Sequence, residues 1–283
     1  MKVCLLIIAK DEEYHLEEFL DHYFNIVGID HIFWIDNNNE PLKPVVINDN
    51  RVTVIDRRNV DFCDRSLSKI KHQTKLLNEV YQEYIVGSEY DWCCNFDGDE
   101  LLDLKGCNIK DYLSKYEDVD YIPVIWTLHG NNGYILESEL PSNKLKVNYG
   151  YDDIKRKPND WKEYKPIFRT KASIKMDVDE YTHKETALSG YSNMLFDENI
   201  TLHHYRIQCL ETYFKHKVLN GIYNRKNIDS WMCNLLSGVV FDNSKAYIPK
   251  SKIRLLEKLV KEYSYIFNLD DRIKLKYVYN IDL

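Results

Sequence analysis

The chain predicts an α/β fold, and three observations carry that expectation. Val3 to Ala9 is a continuous apolar run, the pattern of a strand buried on both faces. Strand-like and helix-like stretches then follow in the order strand, helix, strand, strand, helix, strand. Acidic residues stand at three of the expected strand ends: Asp11 and Glu12, then Asp36, then Asp97 and Asp99.

Each element has its own warrant. After the first strand, Leu16, Phe19, Leu20, Tyr23 and Phe24 recur at helical spacing, which predicts a helix over 11–27 ended by Gly28. His31 to Ile35 reads as a second strand, closing on the polar Asp36-Asn37-Asn38-Asn39. Val52 to Ile55 is a third, followed by Asp56-Arg57-Arg58. A long helix is expected over 65–86, with Ile70, Leu76, Leu77, Val80, Tyr81 and Tyr84 as its buried stripe and Gly87 at its end. Trp92, Phe96 and the adjacent Cys93 and Cys94 suit a fourth strand, over 91–96.

Composition sets limits. A chain of 283 residues with 44% hydrophobic content suits an α/β domain with an appended part. It has no apolar run of about 18 residues, the length a membrane-crossing helix needs. The N-terminal apolar stretch is short, lacks a small-residue cleavage site and meets acidic residues at once, so a first strand is the better reading than a leader. Seven cysteines show no metal-ligand spacing, and reduced thiols in a cytosolic protein are expected. The net charge of −7 argues against nonspecific nucleic-acid binding. Twenty-two tyrosines, five tryptophans and ten phenylalanines supply faces for a core or for sugar rings.

The chemistry centres on Phe96-Asp97-Gly98-Asp99-Glu100. Two carboxylates separated by a glycine at a sheet edge can approach one hard cation and leave positions open for phosphate oxygens. The same triplet is also a common turn sequence. An EF-hand loop fits poorly, because Glu100 stands where that loop needs glycine. No Gly-x-Gly-x-x-Gly or Walker sequence is present, which argues against dinucleotide and P-loop chemistry.

Lys10-Asp11-Glu12, Ile35-Asp36-Asn37 and Phe96-Asp97-Gly98-Asp99-Glu100-Leu101, in that order, resemble glycosyltransferases of the GT-A fold, in the family 2-like branch that also resembles the family 92 enzymes. Asp11 stands where the group has Asn, and Leu101 where it has Phe. Trp126 to Gly133, Lys165 to Arg169, His183, His204-Tyr205-Arg206 and Leu210 to Lys215 are similar to that group's later blocks. The resemblance spans roughly residues 1 to 218. It implies a GT-A-type (Rossmann-like) nucleotide-sugar-binding sheet, with a donor half over about 1–104 and an acceptor half over about 105–218. Residues 219–283 would form a helical C-terminal extension, with helices over 222–238 and 253–267. The stripe Ile253, Leu256, Leu259, Val260 and Tyr263 is expected to pack on the catalytic domain. Glu257 and Glu262 weaken its alternative use as a peripheral membrane contact.

The resemblance also implies roles. Asp99 would ligate Mn²⁺, or Mg²⁺ as the alternative, with His204 as an imidazole ligand. Asp97 would join that metal site through a bound water or meet the ribose of a UDP-sugar. Asp36 would hold the uracil or ribose, with Lys10, Asp11 and Glu12 at the first strand end. His203 would face away from His204 if 200–206 is a strand. Arg65, Lys69 and Lys71 are either solvated or near the nucleotide. Inverting transfer of a hexose needs a general base, and Asp179, Glu180 and His183 are the candidates by chain order. The polar stretch over 129–164 reads as an acceptor-side loop or a plain surface loop. The implied acceptor is a glycan or lipid-linked glycan, and nucleic acid is not an expected partner. Two rivals remain: a metal nuclease using Asp103-Leu104-Lys105 after Asp97, and a noncatalytic sugar-binding relative.

Overall fold

The computed structural model describes residues 1–9, 16–38, 48–58, 69–129, 136–139, 164–171, 193–205, 209–212, 241–242, 245–246, 254, 257–259 and 261–262. Two compact units divide the chain: Met1–Thr127 with Ile154–His204, and Leu128–Asp153 with Tyr205–Leu283. The boundary expected at 218 falls outside the described residues.

The first unit carries an eight-stranded mixed sheet. Its strands are β1 (Val3–Ala9), β2 (His31–Asp36), β3 (Val52–Asp56), β4 (Trp92–Asn95), β5 (Glu100–Asp103), β6 (Tyr121–Leu128), β7 (Tyr164–Arg169) and β8 (Thr201–His204). They lie in the order β3-β2-β1-β4-β7-β6-β8-β5. The four N-terminal strands pair in parallel, and β7 then joins β4, and β6 joins β7, in antiparallel fashion. This is the expected α/β sheet, with an antiparallel extension.

Helices cover both faces of the parallel part, which is why β1 is apolar at every position. Helix α1 (Leu16–Asp21) sets Phe19 edge-on against Trp34 of β2. Helix α2 (Lys69–Val80) buries Leu77 and Val80 on the other face, against Cys4, Leu6, Phe33, Ile35 and Cys93. Burying each large apolar side chain contributes about 1.5–3 kcal/mol. A short α3 (Ile109–Leu113) is capped by the Asn108 side chain, which accepts from the Asp111 backbone N–H at 2.9 Å.

Both long helices end in a π turn where helical periodicity alone predicts an ordinary helix: His22–Val27 after α1 and Tyr81–Ile85 after α2. The wider turn after α1 points adjacent residues at one neighbour. His22 Nε2 lies 2.9 Å from the Leu102 carbonyl, and the Tyr23 hydroxyl donates to the Glu100 carbonyl at 2.9 Å. Gly28 closes this turn at φ 84°, a left-handed conformation that glycine adopts without strain. Of the expected α2 stripe, Leu76, Leu77, Val80 and Tyr81 are buried and Tyr84 is partly so. The start of that helix, and the first residues of the expected helix over 11–27, lie outside the described residues.

The second unit is described in pieces: a 3-10 turn (Glu137–Glu139), α4 (Leu210–Thr212), an antiparallel pair β9 (Phe241–Asp242) and β10 (Lys245–Ala246), and helical positions within 254–262. Leu259 is buried, as its place in the expected apolar stripe requires. All of 222–238 and most of the 129–164 stretch lie outside the described residues. No described helix is long and apolar enough to cross a membrane.

Candidate functional site

The site is assembled at the carboxyl ends of the parallel strands. Strand order reverses at β1, with β2 and β3 on one side and β4 on the other. Ligands of open α/β sheets bind outside the carboxyl ends of the strands at such a reversal. Ala9, the last residue of β1, is in register with Asp36, and Asp36 with Asp56. Asp97 and Asp99 follow the end of β4. Lys10, Asp11 and Glu12 follow Ala9 but lie outside the described residues. So do Arg65 and the three candidate bases Asp179, Glu180 and His183, and the side chains of Lys69 and Lys71 are likewise not described.

Asp36 is buried, and its Oδ1 accepts the Asn38 backbone N–H at 2.9 Å. Burial raises its pKa, while the Asn38 bond and Arg58, with Nε 3.8 Å from Oδ2, pull the other way. Arg58 also grips Asp56, Nη2 to Oδ2 at 2.6 Å, and holds that carboxyl down at about 2. The Asn37 amide donates to the Arg57 carbonyl at 2.6 Å, tying the ends of β2 and β3 together.

The acidic triplet is a turn, and it is also more than that. Glu100 N–H donates to the Asp97 carbonyl at 3.1 Å, and the Glu100 Oε2 accepts the Asp97 N–H at 2.8 Å. This doubly closed turn delivers the chain into β5, which pairs antiparallel with β8 and sets Glu100 directly opposite His204. Directly opposed residues share a face. His204 Nε2 therefore comes within 3.5 Å of Asp99 Oδ1, and its Nδ1 within 3.9 Å of Glu100 Oε1. Trp126 packs edge-on to the His204 ring at 4.6 Å between centroids.

His203 faces the other way, as strand alternation requires, with Nε2 3.6 Å from Asp103 Oδ2. Asp103 there closes a local ion pair with Lys105 at 2.6 Å. The Asp103-Leu104-Lys105 set is thus on the face opposite Glu100 and His204, with Asp103 and Lys105 already paired to each other.

Asp97 points elsewhere. Its Oδ2 lies 3.0 Å from the Lys165 ammonium, and Lys165, on β7, has only 1% of its side chain exposed. Burial pushes the Glu100 carboxyl well above its ordinary range; Lys165 opposes this, and the Asp97 and Asp99 charges add to it. Burial likewise pushes the Tyr23 phenol well above its ordinary range.

The donor set can be tested against a cation. Two donors each about 2.1 Å from one metal lie roughly 3.0–3.4 Å apart for bond angles between octahedral and tetrahedral. Asp99 Oδ1 and His204 Nε2, at 3.5 Å, are close to that spacing. A carboxylate favours hard divalent cations such as Mn²⁺ and Mg²⁺, whereas an imidazole is equally a ligand for softer ones, so the pair fits a divalent cation without selecting one. Among the described residues no group of three His, Cys, Asp or Glu side chains forms a ready cage. The fit is therefore to an open site with two protein donors.

Sequence reasoning left Lys165, Glu100 and Trp126 without roles. A lysine inside the otherwise apolar Tyr164-Lys165-Pro166-Ile167-Phe168 run was a usable signal, because a buried charge needs a partner. In the second unit, a cavity of about 520 Å³ is lined by Glu137, Glu211, Lys258 and Glu262 among others. It contains none of the residues above. Donor geometry, rather than cavity size, makes the sheet edge the candidate site.

No family model matches the chain, and no curated protein matches it in sequence. Among solved structures, it is similar to S. aureus TarS 1–349 in complex with UDP-GlcNAc, at 12% identity and TM-score 0.46, covering 98% of this chain and 76% of that one. S. aureus TarS aligns at 12% identity and TM-score 0.41, over 99% of this chain; the chain spans 52% of that protein's length. The Mn/GDP form of core-mannan synthase A from Aspergillus fumigatus aligns at 10% identity and TM-score 0.33, over 60% of each chain. Likenesses this distant assign no activity.

Proposed function

We propose that this chain is a divalent-metal-dependent glycosyltransferase of the GT-A type, moving a hexose from a UDP-sugar to a glycan or lipid-linked glycan acceptor with inversion, in the cytoplasm. The observation that carries the reading is the approach of Asp99 to His204 at 3.5 Å beside the strand-order reversal of a parallel sheet. The ordered sequence blocks support it.

In this reading Asp99 and His204 hold the cation. A divalent cation there offsets the charge that grows on a diphosphate leaving group. Asp97, steadied by Lys165, keeps one side toward solvent and meets the ribose or a water on the cation. Asp36 accepts a hydrogen bond from the nucleoside, and its burial favours that over exposed solvation. Lys10, Asp11 and Glu12 would border the same nucleoside. One of Asp179, Glu180 and His183 would take the proton from the acceptor hydroxyl, on the side opposite the departing diphosphate.

The test is release of UDP from a panel of UDP-hexoses, with Mn²⁺, with Mg²⁺ and with chelator. Metal-dependent release from at least one donor, lost in Asp99→Asn, is the expected result. Binding of donors without any release would favour the noncatalytic relative.

A further inference from the structure

We infer that Glu100 is a positioning residue that fixes the His204 ring, holding Nδ1 so that Nε2 is presented to Asp99 and to the cation between them. The inference rests on the functional reading above and adds a residue to which that reading gives no role.

Glu100 is fully buried and His204 nearly so, at 8% exposure. Among the described residues, Glu100 Oε1 and His204 Nδ1 both lack a hydrogen-bond partner. They face each other across the β5–β8 pair at 3.9 Å. Leaving a buried polar atom unsatisfied costs about 1–3 kcal/mol, so each atom is the other's natural partner. A ring shift of roughly 1 Å brings the pair to hydrogen-bond length.

The other described contacts of Glu100 leave Oε1 to face the ring. Its Oε2 is already committed to the Asp97 N–H, so the carboxyl cannot turn toward a ligand without opening the turn. Its backbone carbonyl is held by the Tyr23 hydroxyl. On the other side, the edge of Trp126 limits how the imidazole rotates. Ligating histidines generally have the second ring nitrogen held by a carboxylate or carbonyl, and losing that partner typically weakens metal binding by about 10- to 100-fold.

The experiment uses the full chain and three proteins: wild type, Glu100→Gln and Asp99→Asn. Glu100→Gln keeps the shape but turns one of the two contact atoms into a donor. Mn²⁺ affinity is read by calorimetry, and histidine ligation by electron spin-echo modulation from the ring nitrogen on bound Mn²⁺. Histidine side-chain ¹⁵N NMR on the metal-free protein reads the ring itself. Wild type is expected to show histidine modulation and one fixed ring state at His204. In Glu100→Gln, affinity should fall about 10- to 100-fold, the modulation should weaken, and the ring should change tautomer or average between two. Should Glu100→Gln fold poorly by circular dichroism, Glu100→Asp withdraws the acceptor by one methylene and serves the same purpose. Unchanged affinity and modulation in the variant, or an averaged His204 ring in wild type, would overturn the inference. Absence of Mn²⁺ binding in wild type would sink the metal reading instead, with the NMR still deciding whether Glu100 fixes the ring.

Discussion

Lys165→Met probes whether the buried ammonium is what holds the acidic turn. Methionine keeps most of the stem's packing and removes the charge, leaving Asp97 without the cation 3.0 Å away. Breaking a buried ion pair from one side costs about 3–5 kcal/mol. The Asp97 side chain is 29% exposed, so water solvates part of the stranded charge, and the lower end, about 3 kcal/mol, is expected. That is roughly a hundredfold change in the folded-to-unfolded ratio. The assay is urea unfolding followed by circular dichroism, on Lys165→Met, Asp97→Asn and the double variant. Because the partners touch, the double variant should be less destabilised than the sum of the singles, by about 1–3 kcal/mol. A cost below about 1 kcal/mol for Lys165→Met, with additivity within about 0.5 kcal/mol, would refute the pairing.

Three further outcomes follow from the same geometry. Tyr23→Phe strips the Glu100 carbonyl of its donor and should cost about 1–2 kcal/mol by the same denaturation assay, with no change in fold. The Asp56 carboxyl, held at about 2 by Arg58 against an ordinary value of 3.8, is depressed in the folded state. The unfolded chain therefore binds the extra proton first, so this contribution is present above pH 3.8 and is lost as pH falls through about 2. Asp56→Asn should flatten that part of the stability–pH curve measured by thermal unfolding. Among the described cysteines, Cys4, Cys93, Cys94 and Cys209 are buried and Cys107 is partly exposed. Burial pushes the Cys93, Cys94 and Cys209 thiols up. Brief alkylation of the native protein, mapped by peptide mass spectrometry, should label Cys107 ahead of those four.

What could be read from the sequence was what lies close in the chain. β1 announces itself because burial on both faces demands seven apolar residues in a row. The carboxylates at the ends of β2 and β4 were legible because a strand end is a local event. The Glu100–His204 pairing was not, since it depends on two four-residue strands far apart in the chain and on a register set by the fold. Even so, the alternation that separates His203 from His204 could be anticipated once a strand was assumed. The π turns were invisible because adding one residue to a turn leaves the apolar spacing almost unchanged, yet it is the turn after α1 that aims His22 and Tyr23 at β5. Lys165 is a different kind of miss: its residue type contradicted its surroundings, and that contradiction was itself the signal.

The most direct test of the account is calorimetric titration of UDP, with and without Mn²⁺, into wild type, Asp99→Asn and His204→Asn. The account predicts UDP binding that requires Mn²⁺ and is lost or severely weakened in both variants. UDP binding of equal strength with and without metal, and indifferent to both substitutions, would contradict it and leave the acidic triplet as a turn alone.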